Sequence, residues 1–165
     1  MSDYRICFVC LGNICRSPTA EAVMRGRLRE AGLEEVVLVE SAGTGDWHVG
    51  DPPDRRAHAE GTRRGVPLGG RSAQFQEHDF ARFDLVLALD RKNAADLRIL
   101  APDDAAADKV RLLREYDATA EDHDVPDPYY GGPDGFADTF DIIERAIEGL
   151  LAEIVATGRA GRPPA

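Results

Sequence analysis

Four short apolar runs alternate with segments of helical length, and this alternation narrows the possible folds more than any other feature of the chain. The runs are "YRICFVC" (4–10), "VVLVESAG" (36–43), "FDLVLALD" (83–90) and "KVRLL" (109–113). Their β-branched and aromatic content suits strands. The third is apolar along nearly its whole length, the pattern of a strand buried on both faces of a parallel sheet. Between them, "SPTAEAVMRGRLREAG" (17–32) reads as a helix, with Ser17 placed to cap it, Pro18 in its first turn and Gly32 at its end. Further helices are predicted over 54–65, 91–101 and 134–157, the last with Phe136, Phe140, Ile143, Ile147 and Ile154 near helical spacing. Strands alternating with helices imply right-handed crossovers and an α/β fold, a four-stranded parallel sheet flanked by helices on both faces. In such sheets ligands bind beyond the carboxyl ends of the strands.

The 165 residues suit one domain, expected over 1–158, with a glycine- and proline-bearing tail at 159–165 expected to fray. The formal net charge of −10 argues against nucleic acid or an anionic membrane as partner. No apolar run approaches the ~18 residues of a membrane span, and the first residues lack a basic-then-apolar layout, so the expected location is the cytoplasm. An anionic substrate would have to be held by a local site, because the overall field repels it.

All three cysteines, Cys7, Cys10 and Cys15, fall within nine residues at the end of the first run. An odd, clustered set does not resemble a secreted disulfide framework. Cys7 and Cys10 form a C-x-x-C, but residues three apart on a strand point to opposite faces, and a structural zinc site wants four ligands. No metal is therefore expected, and Cys7 reads as a small buried hydrophobe. Cys10 ends the strand and is followed by "LGNICRS", a turn that feeds a helix N-terminus. Backbone N–H groups there converge into an anion site, which also favours a thiolate. Arg16 adds a planar fork able to hold two oxygens of a phosphate, sulfate or arsenate.

"VCLGNICRSPTAE", "SAGTGDWHVGDPPDRRA" (41–57) and "VPDPYYGG" (125–132), in this order, resemble the three characteristic segments of the low-molecular-weight protein tyrosine phosphatases. The resemblance extends over nearly the whole chain. It implies a phosphotyrosine protein or peptide as substrate, inorganic phosphate as product, no cofactor, and Cys10 as the nucleophile that forms a phosphocysteine intermediate. It implies a phosphate-binding loop of Leu11, Gly12, Asn13, Ile14, Cys15, Arg16 and Ser17, with the Ser17 hydroxyl donating to the sulfur. Asp127 would be the general acid and then the base; on sequence alone Asp124 and Asp134 would be its rivals. Trp47, Tyr129 and Tyr130 would wall the cleft, and a tyrosine kinase acting on Tyr129 or Tyr130 would be a further partner. Cys15 would be a redox partner of Cys10, the alternative being a small buried side chain. Asn13 either braces the loop through its side chain or serves only to adopt a left-handed backbone. The chain departs from the family at Gly70, where a histidine that bonds the loop asparagine is usual, so the bracing of Asn13 is expected to be looser. His48 is expected at the cleft rim, and Asp90 either orients loop groups or is a plain strand end.

Two other functions compete. Arsenate reductases share the loop, but those with an intramolecular electron cascade need cysteines in the second half of the chain, and none follows Cys15. A phosphotyrosine- or anion-sensing module without catalysis would lack one of Cys10, Arg16 or Asp127, and all three are present. A phosphosugar or phosphoarginine substrate also remains compatible with the wall residues.

Overall fold

The fold described here is a computed structural model covering residues 3–132 and 134–157; the expected tail at 159–165 lies outside the described residues. Strands β1 (Tyr4–Cys10), β2 (Val37–Gly43), β3 (Leu85–Ala88) and β4 (Val110–Leu112) form one parallel sheet in the order β2-β1-β3-β4. Helices α1 (Arg16–Ala31), α2 (Arg55–Arg63), α3 (Arg91–Leu100), α4 (Asp104–Ala107) and α5 (Asp134–Ala156) connect and cover it. The short α4 and the 3₁₀ turns at Glu77–Ala81 and Leu113–Tyr116 carry too little periodicity to be read from sequence. Among the described residues no helix is long and apolar enough to cross a membrane.

The pleat of β1 sorts its side chains. Tyr4, Ile6, Phe8 and Cys10 enter a core shared with α1 and α5, while Cys7 and Val9 enter a second core with Phe75, Phe80, Phe83 and Leu97 of α3. The two thiols of the C-x-x-C therefore lie on opposite faces of the sheet, as a period of two demands. Burying both faces explains why β1 and β3 read as continuous apolar runs. An arginine lies along each exposed edge: Arg25 Nη2 donates to Val39 O at 2.6 Å and Arg98 Nη2 to Val110 O at 3.1 Å. Charged edges discourage pairing with a second sheet.

Helix ends depart from the sequence reading where side chains are drawn elsewhere. Ser17 does not cap α1: the helix begins at Arg16, the cap position is Cys15 with no side-chain bond, and the Ser17 hydroxyl is engaged at the Cys10 sulfur. Gly32 does end it, with φ 71°, a left-handed conformation costly for any residue with a Cβ. The third strand is shorter than expected, because Asp90 turns out of the ladder to cap α3, its Oδ1 accepting the Asn93 N–H at 2.7 Å.

Asp54 caps α2, accepting the Arg56 N–H at 2.8 Å. Burial alone would raise its carboxyl pKa, but hydrogen bonds from the Arg56 side chain and backbone outweigh this and hold it below the usual carboxylate value. A folded pKa below the unfolded one gives stability that is full above about pH 4 and is lost as pH falls through the folded value. Asp54→Ala is therefore expected to cost about 1 kcal/mol at pH 7. In paired thermal melts this gap should shrink at pH 3; a gap of constant size would show that the carboxylate is not the source.

Candidate active site

The centre of the sheet positions the site. The chain leaves β1 for α1 toward β2 on one side and enters β3 on the other, so the loop after Cys10 lies where the strand order reverses. The loop runs close over the end of β2, where a Cβ on Gly43 would stand 2.7 Å from Leu11 O. Four of its carbonyls accept from surrounding segments: Cys10 O from Thr44 N (2.9 Å), Leu11 O from Gly45 N (2.9 Å), Gly12 O from Ser72 Oγ (2.9 Å) and Ile14 O from Asp54 N (2.8 Å). The N–H groups of Gly12, Ile14, Cys15, Arg16 and Ser17 have no acceptor among the described residues. Carbonyls tied outward and N–H groups left free make a nest for an anion at the start of α1.

Cys10 Sγ sits in this nest, almost fully buried. It accepts the Asn13 N–H at 3.3 Å and lies 3.0 Å from Ser17 Oγ. Asn13 has φ 56°, the one non-glycine residue with positive φ among those described, and its side chain is also saturated. Its Nδ2 donates to Ser17 Oγ (2.8 Å) and Ser41 Oγ (3.0 Å), and its Oδ1 accepts Ala73 N–H (3.0 Å). Both readings of Asn13 hold at once. The looseness expected from Gly70 is absent at the amide; behind it lies a cavity of about 220 Å³ bordered by Asn13, Ser41, Gly70 and Ser72.

Arg16 is 3% exposed. Its Nη1 donates to Asp90 Oδ2 (2.6 Å) and Val125 O (2.9 Å), while Nη2 stands 3.6 Å from Asp127 Oδ2. Burial works against the guanidinium charge, but the Cys10 sulfur, Asp90 and Asp127 more than offset it and leave the pKa raised. Asp90 is thus an orienting group: one oxygen caps α3 and the other holds Arg16. Asp127 is partly exposed, and its Oδ1 accepts the Tyr129 N–H at 3.0 Å. Its rivals are placed elsewhere: Asp124 accepts the Arg91 N–H at 2.8 Å and Asp134 opens α5.

Cys10, Arg16 and Asp127 share one cleft of about 370 Å³, lined also by Leu11, Gly12, Ile14, Cys15, Trp47, His48, Tyr129 and Tyr130, while Asn13 and Ser17 of the loop lie outside that lining. Trp47 is 71% and Tyr130 93% exposed, so both stand as rim walls, and Tyr129 meets Tyr130 edge-on with centroids 4.8 Å apart. His48 is at the rim, its Nδ1 3.1 Å from Asp51 Oδ2. Cys15 is buried beside Cys10, and burial, then the nearby Asp54 and Cys10, pushes its thiol pKa up. Among the described residues no three His, Cys, Asp or Glu side chains gather into a metal-ion site.

Sequence reasoning missed Ser41 and Glu21. Ser41 Oγ donates to Glu21 Oε1 at 2.6 Å, which leaves its own oxygen free to accept from Asn13. A serine near the carboxyl end of an apolar run was the available signal; its pairing opposite Phe8 of β1 is set by the fold. The Val125 carbonyl that fixes Arg16 had none, because a backbone group carries no residue code.

Comparison with known proteins agrees with this geometry. The family model described as low molecular weight phosphotyrosine protein phosphatase matches residues 5–160. A relative from Streptomyces coelicolor, named low molecular weight protein-tyrosine-phosphatase, is 52% identical over 153 residues, 92% of this chain and 93% of its own. The crystal structure of YfkJ from Bacillus subtilis superposes with a TM-score of 0.90 at 37% identity, covering 96% of this chain and 99% of that one. A protein tyrosine phosphatase structure from Entamoeba histolytica gives a TM-score of 0.90 at 36% identity, covering 94% and 99%. The chain belongs to the low molecular weight phosphotyrosine protein phosphatase family.

Proposed function

We propose that this chain is a metal-independent protein-tyrosine-phosphatase acting on tyrosine-phosphorylated proteins or peptides through a phosphocysteine intermediate. The observation that carries the reading is the Cys10 sulfur at the centre of a nest of free N–H groups, with Arg16 and Asp127 lining the same cleft. In the first step the Cys10 thiolate attacks phosphorus and the bond to the tyrosyl oxygen breaks. Asp127 gives its proton to the departing phenolate. In the second step Asp127, now a carboxylate, takes a proton from water as the water attacks the phosphocysteine. Inorganic phosphate leaves and the thiolate is restored.

The free loop N–H groups of Gly12, Ile14, Cys15, Arg16 and Ser17 and the Arg16 guanidinium hold the equatorial oxygens, and such positioning supplies most of the catalysis in phosphoryl transfer. The Ser17 hydroxyl, 3.0 Å from the sulfur, stabilises it as thiolate and as leaving group. Trp47, Tyr129 and Tyr130 receive the aromatic ring. Tyr130, nearly fully exposed, is open to a kinase, while Tyr129 is half-buried. Free thiols at all three cysteines suit a reducing compartment such as the cytoplasm.

The test is turnover of a phosphotyrosine peptide in the presence of a chelator, for the parent chain and Asp127→Asn. The variant should lose roughly 10²–10⁴-fold in kcat, the usual contribution of a general acid. Acid quench during turnover should trap phosphate on Cys10. Turnover that requires added metal, or an Asp127→Asn variant at full rate, would sink the assignment.

A further inference from the structure

We propose that Arg56 is a positioning residue for the acid, clamping the segment that carries Asp127 to the phosphate loop. The proposal rests on Asp127 being the proton donor. Arg56 belongs to the first turn of α2, outside the cleft lining, and its side chain is exposed, so burial in the core does not account for its setting. Its Nε and Nη2 donate to the two oxygens of Asp54 at 3.1 and 3.0 Å, a bidentate fork that fixes the plane of the guanidinium. The Asp54 backbone N–H donates to Ile14 O at 2.8 Å, inside the phosphate loop.

On its other side the guanidinium carbon lies 5.2 Å from the Tyr129 ring centroid and 4.7 Å from that of Phe136. Phe136 is buried at the start of α5, and Tyr129 follows Asp127 by two residues and donates its N–H to Asp127 Oδ1. A planar cation fixed to the loop thus stacks on two rings that flank the acid segment. The connection runs from Ile14 through Asp54, Arg56 and Tyr129 to Asp127. The segment's other ties include Thr139 Oγ1 to Pro126 O at 3.3 Å, the 3.6 Å ion pair from Arg16, a tilted His48–Tyr129 ring contact at 6.4 Å and packing of Tyr129 against the main core. Without the clamp, Asp127 would spend less time in line with the leaving oxygen, while the nucleophile would be untouched.

A purely structural role would lower all rates together; a positioning role depends on how much the leaving group needs a proton. The experiment measures kcat and KM for aryl phosphates from p-nitrophenyl phosphate to phenyl phosphate, with the parent chain, Asp127→Asn, Arg56→Met, Arg56→Lys and Tyr129→Leu. Thermal melts accompany each variant. Arg56→Met should lose about tenfold more in kcat on phenyl than on p-nitrophenyl phosphate, equivalent to about 1.4 kcal/mol of selective transition-state stabilisation. Arg56→Lys, which keeps charge without the planar fork, should recover part of this. Tyr129→Leu should show the same selectivity from the opposite side of the contact, and adding Arg56→Met to it should add little. Iodoacetate alkylation of Cys10 in Arg56→Met should proceed at the parent rate. A steep leaving-group dependence in Asp127→Asn but none in Arg56→Met overturns the clamp and leaves the acid assignment standing. If Asp127→Asn itself shows no steepening, the acid assignment fails and the clamp with it. Slowed alkylation would place the effect of Arg56 in the nucleophile loop and also overturn the proposal.

Discussion

Cys10→Ser is expected to lose at least about 10⁵-fold in kcat on phosphotyrosine peptide, the scale seen when a nucleophile is removed from an intact site. The substitution changes one atom and leaves the cradle in place. The Asn13 N–H and the Ser17 hydroxyl, which meet the sulfur at 3.3 and 3.0 Å, would face a hydroxyl that stays neutral near pH 7. Neither group could ionise it, because an alkoxide is far more basic than a thiolate. Binding should survive: the free N–H groups and Arg16 are unchanged, and a neutral oxygen no longer repels the phosphate dianion. Phosphate titration by calorimetry should therefore give a dissociation constant equal to or below that of the parent. Loss of binding together with turnover would mean that the loop had collapsed. Retained turnover would mean that another group is the nucleophile.

Arg16→Lys carries the second largest effect, about 10³-fold or more in kcat/KM, by the scale of an arginine that stabilises phosphoryl transfer. Arg16 serves two partners at once. Nη1 is committed to Asp90 and Val125 O, and the remaining donors face the cleft beside Asp127. A lysine ammonium is a single point that can meet Asp90 or the phosphate, and the bidentate geometry is lost in either case. The change should also destabilise the fold, by about 1–3 kcal/mol, because polar groups around the buried side chain lose partners. Inorganic phosphate inhibition should weaken in parallel with kcat/KM. A variant with normal phosphate inhibition would show that the N–H nest alone holds the anion.

Several parts of the site were legible because they are local in the chain. The loop from Cys10 to Ser17 is one strand-to-helix joint, and its sulfur, turn residues and cation fall within eight residues, so their conjunction at a strand end before a Ser-Pro helix start points to an anion site. Asn13 was legible as a left-handed position, and the structure adds that its amide is tied to segments at Ser41 and Ala73. Ser17 shows the limit of local rules. Its type and its place before Pro18 suit a helix cap, yet tertiary proximity to the sulfur takes the hydroxyl elsewhere. Asp90 could be read two ways until Arg16 was seen 74 residues away in sequence and 2.6 Å away in space.

The alternating strand and helix order, the two-faced burial of β3 and the chemistry of the loop are written locally in the chain, because periodicity and turn formation act over a few residues. The family resemblance singled out Asp127, which spacing could not do among 30 acidic side chains. What turns these residues toward one another is the packing of segments far apart in the chain. The parallel register sets the end of β2 beside Cys10, the crossover to β3 delivers Asp90 to Arg16, and the segment after Val125 brings Asp127 and Tyr129 within reach of Arg16 and Arg56. Side-chain identity states what a group can donate or accept; the distance over which it does so is set by the packing of distant segments.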